Sequence, residues 1–297
     1  GNPSIIGENL EPATEITKTL VETLSDGSVL SFGLESADPA VHDANWLNCD
    51  GDQLKTAIRL INEYGRERGP RGLPKLLPGL NFIAGLNGET AETYSLNIQL
   101  LNQIRNENLW LRRINIRQVE GEGFQEVQTD LFQEFKTWTR NEIDAPLLTE
   151  LFPLGLKLSE VTWEALDGRI RLPAHLEPEM RSMDIHGKAG ITFGRQIGAY
   201  PILIGVPYHI PLESTSDILV TGHGARSITG VEIGLKMESV TQKQLEAIPG
   251  IGEKSAWNLV STRAKAARRE REFESVQAWF DDAGVEMPVL GARVLEA

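Results

Sequence analysis

The chain has 297 residues, with 29 Lys and Arg against 42 Asp and Glu and a formal net charge of −13, a balance that excludes an all-over nucleic-acid footprint and leaves room only for a local basic site. Apolar residues make up 40% and charged residues 24%, enough to bury a core and, at roughly 100–200 residues per domain, to build two or three domains. One cysteine, Cys49, excludes an internal disulfide and any site of several thiolates; no apolar run reaches the ~18–20 residues of a membrane span, and the absence of a basic-then-apolar leader predicts a cytoplasmic protein.

In chain order, Ile16, Leu20, Val21 and Leu24 recur at helical spacing and predict a helix over 15–24. Ser25-Asp26-Gly27 ends it, and residues 29–34 read as a short buried strand. Leu54, Ile58 and Ile61 share one face of a second helix over 54–64. A Gly/Pro-rich loop is expected over 65–79, a strand over 80–85, a helix over 90–107 and a strand over 111–117. This alternation implies parallel strands with helical crossovers, and chemistry at the strands' C-terminal ends. An amphipathic helical segment follows over 125–151. From 156 to 237 the pattern is strand-like, clearest at 202–206 and 217–220, and a small antiparallel barrel is expected. The remainder returns to helix.

Two motifs carry chemical information. The first is Gly33-Leu34-Glu35-Ser36-Ala37-Asp38 followed, about fifty residues on, by Asn81-Phe82-Ile83-Ala84-Gly85-Leu86-Asn87-Gly88-Glu89-Thr90. Each is a strand ending in glycine and then an acidic residue. Gly85 and Gly88 let the backbone approach a ligand closely. Glu35 at a strand tip can accept hydrogen bonds from hydroxyls or an amine. Glu89 opens a helix, where a carboxylate either meets a ligand or simply complements the dipole. On the strand Arg113-Ile114-Asn115-Ile116-Arg117, alternate residues put Arg113, Asn115 and Arg117 on one face, for ligand contact or for salt bridges.

These residues resemble the fourth and fifth strands of the radical S-adenosylmethionine (SAM) barrel. The likeness is closest to archaeal radical SAM proteins with a C-terminal helix–hairpin–helix, and it spans most of the chain. The resemblance implies an α/β fold: a partial (β/α) barrel with a trailing helix over 1–152, a small β-rich barrel-like domain over 153–238 and a helix–hairpin–helix domain over 239–297. It implies SAM as cofactor, contacted by Glu35, Ser36, Ile83, Gly85, Gly88, Glu89, Arg113 and Asn115. It also implies reductive cleavage of SAM at a 4Fe–4S cluster, yielding a 5′-deoxyadenosyl radical. The family's Cys-x-x-x-Cys-x-x-Cys loop is missing, and three thiolates are needed to hold the cluster. Either the chain is the C-terminal part of a longer enzyme, which its start without methionine and its strand count favour, or it is a non-catalytic nucleic-acid-binding or scaffold protein on a degenerate barrel.

The second motif, Leu245-Glu246-Ala247-Ile248-Pro249-Gly250-Ile251-Gly252-Glu253-Lys254-Ser255-Ala256, reads as helix, tight turn, helix. It resembles the helix–hairpin–helix of DNA-repair proteins. Gly250 and Gly252 expose N–H groups that can grip a phosphate, Ile251 plugs between the helices, and Lys254 and Arg263 add charge. DNA or RNA is the partner this implies; packing or protein contact is the other reading of the same hairpin. The basic run 263–271 is either a nucleic-acid stripe or a solvated face. Trp257, Trp279 and Phe280 are expected in the core. The five histidines are scattered, with no paired spacing for a metal. Nothing in the sequence fixes the oligomeric state.

Overall fold

Two helices, α1 (Pro3–Glu8) and α2 (Leu10–Thr23), precede the first strand in a computed structural model that describes residues 1–49, 51–164, 191–198 and 200–297. The chain then alternates: β1 (Ser28–Glu35), α3 (Pro39–Asn45), α4 (Gly51–Gly65), β2 (Leu76–Ala84), α5 (Ala91–Asn106) and β3 (Arg113–Gln118). The three strands pair in chain order and are all parallel, as the alternation predicts. One sheet face carries Phe32, Leu34, Leu80 and Phe82 into a core shared with Leu54, Ile58, Ile61, Leu101 and Ile104 of the helices. A helix α6 (Thr129–Trp138), a widened π-helical turn (Thr139–Asp144) and α7 (Ala145–Leu151) follow. Phe135 of α6 meets Phe82 edge-on at 5.5 Å.

The loop expected over 65–79 is shorter than predicted, because β2 begins at Leu76 and runs through Pro78 and Gly79. Proline has no N–H to give the ladder, but its carbonyl accepts from Arg112 N at 2.8 Å. A Cβ on Gly79 would stand 2.9 Å from Val29 Cγ1, so this glycine permits close strand packing rather than a turn.

Residues 1–151 with 198–200 form one unit, and residues 152–197 with 201–297 form the other. In the second, β4 (Lys157–Glu164), β5 (Thr192–Gln196), β6 (Leu203–Val206), β7 (Thr215–His223) and β8 (Ser227–Glu232) close into a five-stranded barrel in the order β4-β5-β6-β8-β7. The barrel is not wholly antiparallel, since β6 and β8 run parallel. This Greek-key connectivity is that of OB-type barrels. Val161, Trp163, Ile204, Val206, Ile218, Val220 and Ile228 fill the interior. Gly194 lies opposite Trp163 in the ladder, and a Cβ there would stand 2.6 Å from the indole.

The segments on either side of the expected division at 238/239 lie in the same compact unit. The short strand β9 (Leu235–Lys236) pairs with β10 (Leu295–Glu296) at the chain's end, and Lys236 pairs with Glu296 at 2.6 Å. The helices between them, α8 (Gln242–Glu246), α9 (Glu253–Ala267), α10 (Val276–Ala283) and α11 (Gly291–Val294), are thereby closed into one body with the barrel. No helix among the described residues is long and apolar enough to cross a membrane.

Candidate functional site

Side chains alternate along a strand, so the face of β1–β3 opposite the core carries Gly33, Asn81, Ile83, Arg113, Asn115 and Arg117. The parallel register sets Gly33, Asn81 and Asn115 in one row. Asn115 Nδ2 donates to Asn81 Oδ1 at 2.8 Å, Asn81 Nδ2 donates to Phe32 O at 3.3 Å, and Arg113 Nε donates to Asn115 Oδ1 at 2.6 Å. The guanidinium of Arg113 also stacks 4.7 Å from the Tyr200 ring, which Arg112 covers at 4.9 Å. Arg112 Nη2 donates to Tyr200 O at 2.9 Å, and burial lowers the Arg112 guanidinium to about 10.

Glu35 ends β1 on the same face. Its backbone is left-handed, with φ 66°, where a non-glycine residue is strained. The register shifts between Gly33 and Glu35, and the carboxyl folds back so far that a Cβ on Gly33 would lie 2.6 Å from Glu35 Oε1. Its other oxygen, Oε2, is buried and finds no hydrogen-bond partner among the described residues. Burial raises the Glu35 carboxyl above the usual carboxylate range.

A raised acid binds its proton more tightly in the folded state, so ionisation of Glu35 costs stability. That cost is absent below the unfolded value of roughly 4.3 and complete above the folded one. Glu35→Gln is therefore expected to be more stable than wild type at pH 7, the gain fading as pH falls towards about 4. Glu35→Gly is expected to add about 1 kcal/mol more by relieving the left-handed backbone. Urea unfolding at the two pH values checks both; a neutral or destabilising Glu35→Gln at pH 7 contradicts the electrostatic account.

The remaining cofactor-site candidates build the turns after β1 and β2. Ser36 is buried; its Oγ accepts from Asp38 N at 3.1 Å and its carbonyl meets the His42 ring. Asp38 caps α3 and accepts from Thr93 Oγ1 at 2.6 Å, and Ala37 N donates to Asn97 Oδ1 at 2.7 Å, so this turn is stapled to α5. Glu89 is only 4% exposed. It accepts from Gly85 N at 2.8 Å and from Tyr94 OH at 2.6 Å. Burial first, then the Glu89 carboxylate, push the Tyr94 phenol well above its usual range, which keeps the proton on the donor. The carboxylate is thus a brace inside the turn. Thr90 and Thr93 cap α5. Gly85 has φ 90° and a Cβ there would lie 2.6 Å from Val119 O. Gly88 has φ 84° and is exposed.

The face therefore gathers Glu35, Ile83, Arg113 and Asn115, while Ser36, Gly85, Gly88 and Glu89 shape the turns at the strands' C-terminal ends. Asn81 and Tyr200 also belong to the face, although neither was among the expected contact residues. Asn81 opens the second part of the first motif; Tyr200 is distant from it in sequence.

The sequence read as helix, tight turn and helix forms α8, a turn over 247–252 and α9. Leu245, Ile248, Ile251, Ala256 and Leu259 are buried. Gly250 has φ 98°, and a Cβ there would press Pro288 at 2.9 Å. Gly252 is the N-cap of α9, with open space on its Cβ side, and Lys254 is exposed. Arg263 turns inward: its Nη1 donates to Met237 O at 2.7 Å and Val240 O at 2.8 Å, and its guanidinium lies 5.8 Å from the Trp279 ring. Trp279 and Phe280 are fully buried, but Trp257 is not in the core; it is 58% exposed. Ala256 and Leu259 take the inward face of α9, and Trp257 falls outside it.

Cys49 is buried. No cluster of three or more His, Cys, Asp or Glu residues among the described residues could hold a metal ion. His175 and His186 lie outside the described residues. His223 meets Phe152 O at 2.6 Å.

No family model matches the chain. It is 36% identical over 259 residues to an uncharacterized protein of Archaeoglobus fulgidus, a match covering 84% of this chain and 45% of that protein. It is 33% identical over 240 residues to an uncharacterized protein of Methanocaldococcus jannaschii, covering 77% of this chain and 40% of that one. The chain thus spans less than half the length of the curated relatives it matches.

Proposed function

We propose that these residues are the C-terminal part of a cytoplasmic radical SAM enzyme, with β1–β3 as the wall of a partial (β/α) barrel facing SAM, and that the hairpin docks DNA or RNA. The observation that carries the cofactor reading is the buried, unpartnered Oε2 of Glu35 on a strained backbone. A buried acceptor without a donor is costly, and the ribose hydroxyls and ammonium of SAM are donors of the matching class. Glu35 would accept from them, Arg113 and Asn115 would offer donors, and Ile83 would wall the adenine. Bound SAM supplies radical chemistry at an unactivated C–H bond; the part assigned to this chain is to bind, orient and exclude water. A 4Fe–4S cluster does not fit these residues, because Cys49 is the one cysteine and three thiolates are required. Its ligands would have to come from residues outside this chain, and no step through it is assigned here.

Calorimetric titration of SAM into the 297-residue chain is expected to show saturable binding that Glu35→Gln weakens at least about 10-fold, the scale of a hydrogen bond to a charged acceptor. Absent or Glu35-indifferent binding would sink the cofactor reading. It would favour the competing one, a nucleic-acid-binding or scaffold protein on a degenerate barrel, for which the single cysteine speaks. The hairpin reading rests on the exposed Lys254 beside Gly252, the N-cap of α9, where turn N–H groups can meet a phosphate. Oligonucleotide affinity is expected to fall with salt and in Lys254→Glu and Gly252→Val; affinity unchanged in both variants removes it.

A further inference from the structure

Trp257 stands exposed on α9 within a basic setting. From Glu253 to Glu272 the chain carries six cations and three carboxylates, in a protein of net charge −13. Lys254, Trp257, Ser261, Lys265 and Arg268 recur at intervals of three and four, so they form one stripe along the helix and its C-terminal end. Over fourteen residues the stripe is about 21 Å long. Lys254, Trp257, Lys265 and Arg268 are all exposed, and the three cations make no ion pair among the described residues. Of the other cations, Arg269 is exposed beside the stripe, Arg271 is held by Asp282 at 2.5 Å, and Arg263 is turned inward.

A solvent-facing indole amid cations and short polar side chains matches one partner chemistry better than others. A protein partner's apolar face would need a run of apolar neighbours around the tryptophan, and the turns on either side offer only the half-buried Val260. Duplex nucleic acid hides its base faces in the stack. A single strand presents both a phosphate backbone for the cations and a free base face for the ring.

We propose that this stripe binds single-stranded nucleic acid, with a base stacked on the Trp257 indole and the phosphates tracked by Lys254, Lys265 and Arg268. The inference rests on the hairpin-docking reading and adds to it a strandedness and a base-contacting residue.

The test is fluorescence anisotropy of the 297-residue chain with fluorescein-labelled oligothymidine of about 12 nucleotides, an abasic strand of equal length and a duplex. Trp257→Ala is expected to weaken oligothymidine binding roughly 5- to 150-fold, the effect of losing one stacked base, and to leave abasic binding unchanged. Trp257→Phe, which keeps an aromatic face, is expected to recover most of the loss. Lys254→Glu is expected to weaken both strands. Because Trp257 is solvent-facing, its variants are expected to unfold at the wild-type temperature, which separates a binding loss from a folding loss. If Lys254→Glu weakens binding while Trp257→Ala does not, stacking is overturned and hairpin docking survives. Equal wild-type affinity for abasic and base-bearing strands also overturns stacking. Absence of nucleic-acid binding removes both readings; self-association of wild type that Trp257→Ala abolishes would assign the indole to a protein interface and overturn the proposal.

Discussion

Glu89→Ala is expected to lower the unfolding free energy of the first unit by about 3–5 kcal/mol, the sum of two hydrogen bonds to a charged acceptor and the donors left unsatisfied. The carboxylate is 4% exposed and holds the Gly85 N–H at 2.8 Å and the Tyr94 hydroxyl at 2.6 Å. Removing it buries both donors unpaired. It also loosens the turn after β2, where Gln125 reinforces the brace by donating to Glu89 O at 2.6 Å and to Gly85 O at 2.9 Å. Glu89→Gln keeps one acceptor of like shape and is expected to cost about 1–3 kcal/mol. Urea unfolding at pH 7 followed by far-UV circular dichroism reads both. A loss below about 1 kcal/mol for the alanine variant would mean that the carboxylate is not a brace. SAM titration of Glu89→Gln then separates the two roles: a brace weakens binding only as far as it loosens the turn, and less than Glu35→Gln does.

Trp279→Ala is expected to cost about 3–5 kcal/mol in the second unit, the range for deleting a buried tryptophan. The indole is fully buried, donates from Nε1 to Leu259 O at 2.9 Å, and meets Phe280 edge-on at 5.6 Å. It also carries the Arg263 guanidinium at 5.8 Å, which in turn holds the Met237 and Val240 carbonyls. One side chain therefore ties α9 to α10 and to the segment after β9. Trp279→Phe keeps the aromatic contact and is expected to cost less than half as much. Circular dichroism in urea is the readout, since the substitution changes tryptophan fluorescence itself. Oligonucleotide affinity should fall in Trp279→Ala at temperatures where the helices fray and return on cooling, whereas the Trp257→Ala loss persists at every temperature.

Much of the architecture was legible because it follows from local periodicity. The apolar spacing of Leu54, Ile58 and Ile61 gives α4, and the Pro249-Gly250-Ile251-Gly252 turn gives the hairpin with Ile251 inside. The boundary of β2 was not legible, because Pro78 and Gly79 carry turn propensity that the sheet overrides when the chain packs closely on Val29. Nor was the character of the tryptophans. Trp257 and Trp279 are chemically identical; Trp257 falls outside the face of α9 that Ala256 and Leu259 turn inward, whereas Trp279 of α10 is buried. In the candidate site the sequence marked Glu35 and Glu89 alike as acidic residues after a strand and a glycine. The fold separates them: Glu89 is satisfied inside its turn, and Glu35 keeps a buried oxygen without a donor.

The sequence by itself determined the alternation of strand and helix, the acidic balance, the single cysteine and the hairpin, since each depends on residue type and spacing along a short stretch. The tertiary structure alone decided the parallel pairing of β6 with β8 in the five-stranded barrel, the row of Asn81 and Asn115 beside Arg113, and the burial of Glu35 Oε2. These depend on register between strands distant in the chain and on desolvation by packed neighbours, quantities that no local pattern encodes.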